Sequence, residues 1–546
     1  MTMPNLQDEL EWQTRRNRIN TKLTSLSEQW KIVRFREDLN VASLTHHAVE
    51  EYPTEKGPAD YALFVKGKLL GIIEAKKVTV APQNVLEQAK RYARGVNDGV
   101  GNWNGFGVPF LYATNGEVIH HIDVRSESNT SRKLSDFHTP SALEEFYAKG
   151  FQYSSHVSEP LQEFSRMRPY QRAAVLSVEG AIRKGKRSML VAMATGTGKT
   201  YLTVAQIYRL MRAGIAKRVL FMVDRKALAA QAVREFNSFN TPTGHKFSQE
   251  YEVYSQRFRR EDFGEEDAFD PKVLPNSYLT SPQPSHAFVY VSTVQRMAIN
   301  LYGWQNTFEQ GRSDPDYEEE ADKMDIPIHA FDLVIADECH RGYTAKETAV
   351  WRDVMEYFDA IKIGLTATPA PHSLSLFNEV VYRYTTEQAI EDGYLVDYEP
   401  VKISSNVLMK GAFLHEGEHV VVVDTQTGHE TYDTLEDERE FKAEEIEHKI
   451  TAPETNKLII REIAKYAHAH ELETGRFPKI LIFAVNDLPH TSHADLIVDI
   501  CRKEFGQGDA FVQKITGSPS VDRPLQRIRE FRNRPNPKIV VTVDML

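Results

Sequence analysis

The chain has 546 residues, of which 41% are hydrophobic and 26% are charged, close to the average for globular proteins. This composition excludes a wholly disordered or collagen-like chain, and two cysteines are too few for a disulfide framework. No apolar run approaches the ~18 residues of a membrane helix, and the N-terminus lacks an apolar signal core. We therefore expect a cytosolic protein, with room for three or four domains at ~150 residues each.

The net charge of −11 argues weakly against a nucleic-acid partner, but this charge is unevenly distributed. Residues 151–250 contain 16 basic and 6 acidic residues, which gives a local charge of +10 inside an acidic chain. Because partner choice depends on local charge rather than on the total, a nucleic-acid partner stays open. A solvated basic face is the alternative interpretation of the same residues.

The first 155 residues predict a mixed α/β unit. Hydrophobic periodicity indicates helices at 5–30 and 82–95, two strands within 60–80, and a hairpin formed by 109–114 and 117–124. The hairpin would turn at Asn115-Gly116, which is a strong turn signal. A polar stretch at roughly 150–165 then separates this unit from the rest of the chain.

From about residue 166, short apolar runs alternate with helical stretches, which is the pattern of a parallel sheet covered on both faces. The predicted strands are 188–194, 219–223, 287–292, 332–337 and 361–366, with helices at 199–213, 226–238 and 346–358. Acidic segments around 261–270 and 314–325 are most simply surface insertions.

A second set of apolar runs follows at 479–485, 510–516 and 538–543. It predicts a second, similar domain with an acidic insertion near 415–448. The expected fold class is therefore α/β. The expected domains are 1–155, 160–375 and 376–546.

Within the first unit, two apolar strands flank a turn centred on Gly67, and a three-residue hairpin there sets Asp60 opposite Glu74. Directly opposed residues share a face with Cβ atoms ~5 Å apart, and the period of two adds Lys76 to that face. Two carboxylates this close repel each other unless a cation lies between them, and such oxygen ligands suit Mg²⁺. Lys76 could then orient a water or stabilise charge on a phosphate. The alternative is an exposed hairpin that merely carries charges.

The sharpest signal in the chain is a glycine-rich loop that follows an apolar strand and opens a helix. It contains Thr195, Gly196, Thr197, Gly198, Lys199 and Thr200. Backbone N–H groups of such a loop bind phosphate oxygens at the helix N-terminus. Lys199 can reach the β and γ phosphates and Thr200 can ligate Mg²⁺. The strict motif has glycine where this chain has Met193, and a structural glycine turn is the alternative.

A second apolar strand ends in Asp337 and Glu338, at the end where parallel sheets bind ligands. We expect Asp337 to hold Mg²⁺ through water and Glu338 to polarise the attacking water. An acidic turn without function is the alternative. Cys339 and His340 lack the spacing of a zinc site, so metal binding by this pair is the weaker hypothesis.

Asp337-Glu338-Cys339-His340 resembles a DEAD/DEAH-type box, so residues from about 160 resemble a superfamily-two helicase or translocase with two RecA-like lobes. Other segments resemble that family's motifs in order: Arg168-Pro169-Tyr170-Gln171, Val223-Asp224-Arg225, Ser292-Thr293-Val294-Gln295, Thr366-Ala367-Thr368, Ile480-Leu481-Ile482, Thr516-Gly517 and Val541-Thr542-Val543-Asp544. The resemblance implies that Arg168 and Gln171 lie at the ATP site, where Gln171 pairs with adenine. It also implies a DNA-binding role for Arg225 and a coupling role for Thr366 and Thr368.

Asp60 with Glu74-Ala75-Lys76 resembles the PD-(D/E)xK nucleases, although the proline is displaced by one residue to Pro58. Two neighbouring segments strengthen this resemblance. The pair Gln88 and Tyr92 resembles the family's QxxxY element, and Glu11-Trp12-Gln13-Thr14-Arg15 resembles its ExxTR start. The resemblance implies supporting roles for Gln88 and Tyr92 and makes Glu11 a possible further acid of the metal site.

A nuclease followed by a superfamily-two motor resembles the R subunit of type I restriction–modification enzymes. This resemblance implies an ATP- and Mg²⁺-dependent protein that translocates double-stranded DNA and cuts it. It also implies modification (methyltransferase) and specificity subunits as partners, no membrane, and a prokaryotic cytoplasm. Another nuclease–helicase fusion, such as a type III restriction subunit or a repair helicase, is the alternative. A nucleotide-dependent DNA scaffold without catalysis is a third possibility.

The predicted second lobe ends at Leu546. In the superfamily the chain continues into a Gln…Gly-Arg…Arg segment that supplies an arginine finger. No match to that segment is present in the sequence. We therefore expect a fragment of a longer protein.

Overall fold

The computed structural model describes residues 10–79, 86–149, 164, 166–256, 271–303, 322–339, 345–403, 412–414, 419–423, 430–434, 439–441, 453–489, 491–518 and 520–543. These residues form two compact units. The first unit contains the described residues up to Val396, and the second contains those from Asp397 onward. Within these ranges no helix combines the length and apolar character needed to cross a membrane.

The amino-terminal part of the first unit is a seven-stranded mixed sheet whose strands lie side by side in chain order. Its strands are β1 (Lys31–Arg34), β2 (His46–Tyr52), β3 (Ala59–Val65), β4 (Lys68–Ala75), β5 (Phe110–Thr114), β6 (Ile119–Asp123) and β7 (Arg132–Leu134). Its helices are Glu11–Thr14, Asn20–Ser25, Leu86–Arg94 and Pro140–Lys149, with a π-helical turn at Arg15–Ile19 and a 3-10 turn at Val41–Ser43. The predicted helices, strand pair and hairpin are confirmed where they are described.

Both faces of this sheet are buried because its strands alternate between two apolar clusters. Ala62 and Phe64 pack with the helix Leu86–Arg94, whereas Tyr61 and Leu63 face the other cluster. Glu74 is an exception, since it is a carboxylate with only 2% of its surface exposed. A buried carboxylate of this kind is costly unless it is paired and hydrogen-bonded.

The turn between β3 and β4 differs from the prediction. Val65 pairs with Lys68, so the turn has two residues, Lys66 and Gly67, both with positive φ. This is the geometry that matches the right-handed twist of a hairpin. The pairing then shifts by one residue between Leu63 and Phe64, which restores the register predicted for the distant end of the hairpin.

The remainder of the first unit is an eight-stranded parallel sheet. Its strands are β8 (Ser188–Met193), β9 (Arg218–Val223), β10 (Glu252–Ser255), β11 (Lys272–Val273), β12 (Phe288–Thr293), β13 (Leu333–Ala336), β14 (Ile361–Thr366) and β15 (Val380–Tyr384). They lie side by side in the order β11-β10-β12-β9-β13-β14-β8-β15. Its helices are Pro169–Arg183, Lys199–Arg212, Lys226–Ser238, Phe247–Glu250, Asn276–Thr280, Val294–Tyr302, Ala345–Tyr357, Pro371–Phe377 and Thr386–Glu391. The α/β class is confirmed, and all five predicted strands are present.

Strand β15 lies at the edge of this sheet beside β8, so the first unit extends beyond the boundary expected at residue 375. Its residues are mostly half-buried and include an exposed Arg383, which is typical of an edge strand. The sequence therefore lacked the apolar run that marks the central strands.

The two sheets of the first unit are joined by buried ion pairs at the amino-terminal edge of the parallel sheet. Asp359 precedes β14 and accepts two hydrogen bonds from Arg132, at 2.6 and 2.7 Å, and one from Arg187 at 3.0 Å. His138 lies 2.9 Å from Asp359 through Nε2 and 2.8 Å from the Tyr112 hydroxyl of β5 through Nδ1. The arginines hold the pKa of Asp359 well below its usual range, although burial opposes this.

The second unit contains a three-stranded parallel sheet in the order β20-β22-β21. These strands are β20 (Ile480–Phe483), β21 (Val512–Ile515) and β22 (Ile539–Thr542), accompanied by the helices Pro453–Thr474, His493–Phe505 and Pro524–Asn533. Two short hairpin-like pairs join β16 (Ala412–Leu414) with β19 (Arg439–Phe441) and β17 (His419–Val423) with β18 (Glu430–Thr434). The three predicted apolar runs are thus strands. The acidic segment 261–270 and most of 314–325 lie outside the described residues.

Candidate functional sites

The glycine-rich loop lies between β8 and the helix Lys199–Arg212. Gly196 and Gly198 have φ of 83° and 78°, a region that L side chains rarely adopt. A Cβ atom on Gly198 would also lie 2.7 Å from Gln171 Nε2. Met193, which replaces a glycine of the strict motif, is the fully buried last residue of β8. The substitution of this glycine by Met193 therefore lies within the strand, and Gly196 and Gly198 still form the turn.

Lys199 begins the helix and is almost completely buried beneath the loop. Its Nζ lies 3.3 Å from Glu338 Oε1 and donates to the Met193 carbonyl at 3.4 Å. The tertiary structure thus brings together a lysine and a carboxylate that are 139 positions apart in the chain. Thr197 closes the loop, since its hydroxyl donates to the Ala194 carbonyl at 2.6 Å.

Asp337 and Glu338 follow β13 directly, at the carboxyl edge of the sheet. Glu338 has φ of 52°, which is unusual for a residue with a side chain, and its N–H donates to Asp337 Oδ1 at 3.0 Å. Such backbone strain costs free energy and is frequent at functional sites. Burial raises the pKa of the adjacent Cys339 thiol, and the zinc partner proposed for it, His340, lies outside the described residues.

Gln171 lies under the glycine-rich loop. Its Nε2 donates to the carbonyls of Thr197 and Gly198, at 3.0 and 3.2 Å, and its Oε1 accepts from the Arg168 N–H at 2.9 Å. Gln171 therefore supports the loop in this structure, and its contact with adenine stays a prediction. The Tyr170 hydroxyl donates to the same Thr197 carbonyl at 2.8 Å.

Two tyrosines beside this loop were not identified from the sequence. The ring of Tyr384, at the end of β15, stacks on Tyr170 with centroids 4.1 Å apart, and Tyr394 meets Tyr170 edge-on at 4.9 Å. The Arg168 guanidinium lies 4.8 Å above the Tyr394 ring. A tyrosine in an edge strand has no local signature, so only the pairing of β15 with β8 could reveal it.

The remaining candidate residues of the parallel sheet also lie at its carboxyl edge. The Thr366 hydroxyl donates to the Thr368 carbonyl at 3.1 Å and accepts from the Thr368 N–H at the same distance, which closes a tight turn. Arg225 precedes the helix Lys226–Ser238 and lies 3.4 Å from Asp224. Gln256, which the sequence did not single out, accepts from the Thr293 N–H at 2.9 Å. The coupling and DNA-binding roles stay predictions.

The second candidate site lies on the amino-terminal sheet. Tyr61 pairs with Ile73, so the next residues outward, Asp60 and Glu74, face each other as predicted. Asp60 Oδ2 accepts from the Ala75 N–H at 2.7 Å, and Lys76 donates to Glu74 Oε1 at 2.9 Å. Lys76 also lies 3.8 Å from Glu11.

Burial and the nearby Asp60 raise the pKa of Glu74 to about 7, although Lys76 opposes this shift. Burial likewise raises the pKa of Asp60, against the Ala75 N–H and the charge of Arg15. Glu74 Oε2 is buried and accepts no hydrogen bond from the described residues. Two adjacent carboxylates with an unpartnered oxygen fit a cation ligand set.

Arg15 and Glu51 complete this charged cluster, and the sequence alone assigned a role to neither. One Arg15 nitrogen, NH1, lies 2.6 Å from Glu51 and 2.8 Å from Asp60. The cluster contains four acids and two bases: Glu11, Glu51, Asp60, Glu74, Arg15 and Lys76. With all six ionised its net charge is −2, which one divalent cation neutralises. In the described part of the chain no three His, Cys, Asp or Glu side chains are arranged so that all three could ligate one metal ion, so water would complete the coordination of such a cation.

Gln88 and Tyr92 lie on one face of the helix Leu86–Arg94, as their spacing predicted. Gln88 Nε2 donates to the Tyr92 hydroxyl at 3.1 Å, and Arg91 donates to the same hydroxyl at 3.3 Å. These contacts fix the tyrosine against the sheet. A direct role beside the carboxylates stays a prediction.

Two protein-family models match parts of the chain. The model described as the second domain of the type I restriction enzyme EcoKI endonuclease subunit matches residues 31–147. The model described as the res subunit of type III restriction enzymes matches residues 164–371. The first range contains the Asp60–Glu74 site and the second contains the glycine-rich loop and Glu338.

Similar proteins cover most of the chain. It is 30% identical over 94% of its length to the endonuclease subunit of the type I restriction enzyme EcoKI from Escherichia coli (strain K12), and covers 46% of that protein. It is 28% identical over 89% of its length to the EcoAI endonuclease subunit from Escherichia coli, and covers 54% of it. A solved fragment assigned to an HsdR subunit from Vibrio vulnificus YJ016 aligns with 98% of this chain and 83% of that chain, at 18% identity and a TM-score of 0.38. The chain therefore spans about half the length of the curated relatives it matches.

Proposed function

Since the chain belongs to the family of type I restriction enzyme endonuclease subunits, we propose that it contains the two catalytic sites of such a subunit. One site is an ATP-driven motor on double-stranded DNA and the other is a Mg²⁺-dependent endonuclease. The whole subunit would act in the cytoplasm of a prokaryote, together with modification and specificity subunits. In this proposal the nuclease is domain 1–155, the first motor lobe is the expected domain 160–375 together with β15, and the rest of 376–546 is part of the second lobe.

One observation carries this proposal: a single compact unit contains two separate charged sites on two different sheets. Lys199 meets Glu338 on the parallel sheet, and Lys76 meets Glu74 on the mixed sheet. Each site pairs a lysine with a carboxylate, which is what charge stabilisation and water activation at a phosphorus centre require.

At the motor site Lys199 is the expected partner of the nucleotide phosphates. Its present partner is Glu338, so arriving phosphate oxygens would replace this carboxylate and release it. Glu338 can then accept a hydrogen bond from the water that attacks the γ phosphate. The Thr200 hydroxyl and the Asp337 carboxylate would hold Mg²⁺, which neutralises charge on the phosphates.

At the nuclease site Asp60 and Glu74 would hold Mg²⁺, and the ion supplies a polarised phosphate and an activated water. Lys76 is positioned by Glu74 and can stabilise the negative charge that develops on the scissile phosphate. Duplex DNA would be bound chiefly through its phosphates, so its affinity should fall as salt rises. The basic residues within 151–250, which include Arg225, are candidates for this contact.

Two variants of the enzyme assembled with its modification and specificity subunits test the proposal. Lys199→Ala should abolish both ATP hydrolysis and cleavage, because cutting depends on translocation. Asp60→Ala should abolish cleavage and leave DNA-dependent ATP hydrolysis at the wild-type rate. Persistent ATP turnover in Lys199→Ala, or normal cleavage in Asp60→Ala, would contradict the assignment of the respective site.

The match of residues 164–371 to the type III restriction model favours a second candidate, a type III-like nuclease–helicase. In type III subunits, however, the nuclease would follow the motor, whereas Asp60 and Glu74 precede Lys199 here. The two candidates differ in their need for partners. Cleavage that requires a separate specificity subunit supports the type I function, and cleavage without one supports the alternative.

A further inference from the structure

Three neighbouring strands place three carboxylates in one row across the amino-terminal sheet. Glu50 pairs with Tyr61 and Tyr52 pairs with Ala59, so the intervening Glu51 lies across from Asp60. The pairing of β3 with β4 in turn places Asp60 across from Glu74, as described above. Glu51 therefore extends the row of acids to a strand that carries no recognised motif.

Arg15 is the cation that links the first two members of this row. Its NH1 lies 2.6 Å from Glu51 Oε1 and 2.8 Å from Asp60 Oδ1. The other oxygen of Asp60 accepts from the Ala75 N–H. Both oxygens of this carboxylate are therefore engaged from opposite sides, which fixes its rotation about the Cβ–Cγ bond.

Two unusual backbone features coincide with this contact. Glu51 has φ of 55°, although it is not a glycine. Arg15 is the first residue of the π-helical turn Arg15–Ile19, in a segment that is otherwise α-helical. Such strained or irregular turns cost free energy and are frequent at functional sites. Here they bring the two charged groups toward Asp60 from different elements.

We propose that Arg15 is a positioning residue of the nuclease, that it fixes the Asp60 carboxylate for metal binding, and that Glu51 in turn holds Arg15. The inference rests on the proposed endonuclease function. Arg15 has a second effect, because its positive charge adjoins the carboxylate and opposes the approach of a cation. Arg15 therefore lowers the metal affinity of the site while it keeps the Asp60 carboxylate in one orientation.

This double effect predicts opposite changes in two measurements. Arg15→Gln removes the positive charge, so the affinity of the chain for Mn²⁺ should rise, by about fivefold. The same variant releases Asp60, so DNA cleavage at saturating metal should fall by about tenfold or more. Glu51→Gln removes a negative charge, so Mn²⁺ affinity should fall. A merely structural arginine would weaken metal binding and cleavage together.

The experiment measures Mn²⁺ binding calorimetrically on the metal-free chain, and cleavage with the assembled enzyme. Arg15→Lys keeps the charge, so it should return the Mn²⁺ affinity to the wild-type value and restore cleavage only in part. Arg18→Gln is the matched control, because Arg18 lies one turn away, has the same 22% side-chain exposure and pairs with Glu117 instead. It should change neither quantity. Melting in EDTA identifies any variant that fails to fold.

The possible outcomes separate this inference from the function on which it rests. If the wild-type chain binds no Mn²⁺ and the assembled enzyme does not cut DNA, the nuclease assignment fails. Suppose instead that the wild-type chain binds Mn²⁺ and the assembled enzyme cuts DNA. If Arg15→Gln then changes neither the Mn²⁺ affinity nor the cleavage rate, the positioning role is wrong. The inference is also overturned if folded Arg15→Gln loses affinity and cleavage in parallel. The inference is supported if Arg15→Gln binds Mn²⁺ more tightly but cuts DNA more slowly, and if Glu51→Gln binds Mn²⁺ more weakly.

Discussion

The two candidate sites of the first unit are built in different ways. The nucleotide site depends on main-chain geometry, with Gly196 and Gly198 in positive φ and loop carbonyls held by Gln171. The candidate nuclease site depends on side-chain charge, with Asp60 and Glu74 next to Arg15 and Lys76. A phosphate needs a cradle of N–H groups, which a short loop supplies. A divalent cation is held by carboxylate oxygens, and here two neighbouring strands bring Asp60 and Glu74 together.

The two sites also differ in what they lack. Lys199 already has partners in Glu338 and the Met193 carbonyl, whereas Glu74 Oε2 has none among the described residues. To bind a nucleotide, Lys199 must therefore exchange these partners for phosphate oxygens. The nuclease site carries an unbalanced negative charge that a cation can neutralise. Substitutions at the two sites should accordingly fail in different ways.

The largest effect is expected for Gly198→Ala, which tests the main-chain site. The substitution requires an L residue at φ of 78° and a Cβ atom 2.7 Å from Gln171. We expect ATP hydrolysis to fall by about a hundredfold or more, since misplaced phosphate contacts cost that much, while Mn²⁺ binding stays normal. Gly214→Ala is the control, because Gly214 has φ of 69° but nothing within 4 Å of the added Cβ. If both variants lose ATP hydrolysis equally, the loss comes from backbone strain alone and not from the contact with Gln171.

Asp359→Ala tests whether the two sites share one rigid support. The variant leaves the partly buried guanidinium groups of Arg132 and Arg187 without their carboxylate, which should lower the free energy of unfolding by about 3 kcal/mol. Because Arg132 belongs to the nuclease sheet, Mn²⁺ binding and ATP hydrolysis should decline together on warming. The exposed Asp353→Ala should change stability little, and urea titration measures both. Separate melting of the two activities would show that the sheets are independent.

The smallest effect is a gain of stability in Glu74→Gln, which tests the charged site. Since the pKa of Glu74 is raised to about 7, its ionised form destabilises the metal-free fold above that pH. In EDTA at pH 8 the variant should be more stable by up to about 3 kcal/mol, since a pKa difference of one corresponds to about 1.4 kcal/mol. This gain should shrink as the pH falls below 7 and vanish below 4.5, where the carboxyl is protonated in both states.

Mg²⁺ provides the control for this measurement. It should raise the melting temperature of the wild-type chain at pH 8 and leave that of Glu74→Gln almost unchanged, because the amide is a poor ligand. If the variant is less stable than wild type in EDTA, the prediction is wrong. The ion pair between Glu74 and Lys76 would then stabilise the fold by more than the burial of the Glu74 carboxylate destabilises it.

Prediction succeeded where a function depends on spacing within a strand or loop. The opposition of Asp60 and Glu74 was predicted from a hairpin with the wrong turn, and it holds because a one-residue shift compensates at Leu63 and Phe64. The glycine-rich loop was predicted in spite of Met193, since this residue only ends the strand. Edge strand β15 was not predicted, and with it Tyr384 and the true extent of the first unit were missed.

The sequence by itself determined the parallel sheet, the phosphate loop and the acidic hairpin, because each depends on local periodicity and on glycines with few alternatives. Only the tertiary structure decided that Arg15 joins Glu51 to Asp60, that Lys199 meets Glu338, and that Asp359 ties the two sheets together. Charges act through space, and their partners lie 36 to 227 residues away in the chain. No local pattern encodes such pairs, so strand order and packing must place them.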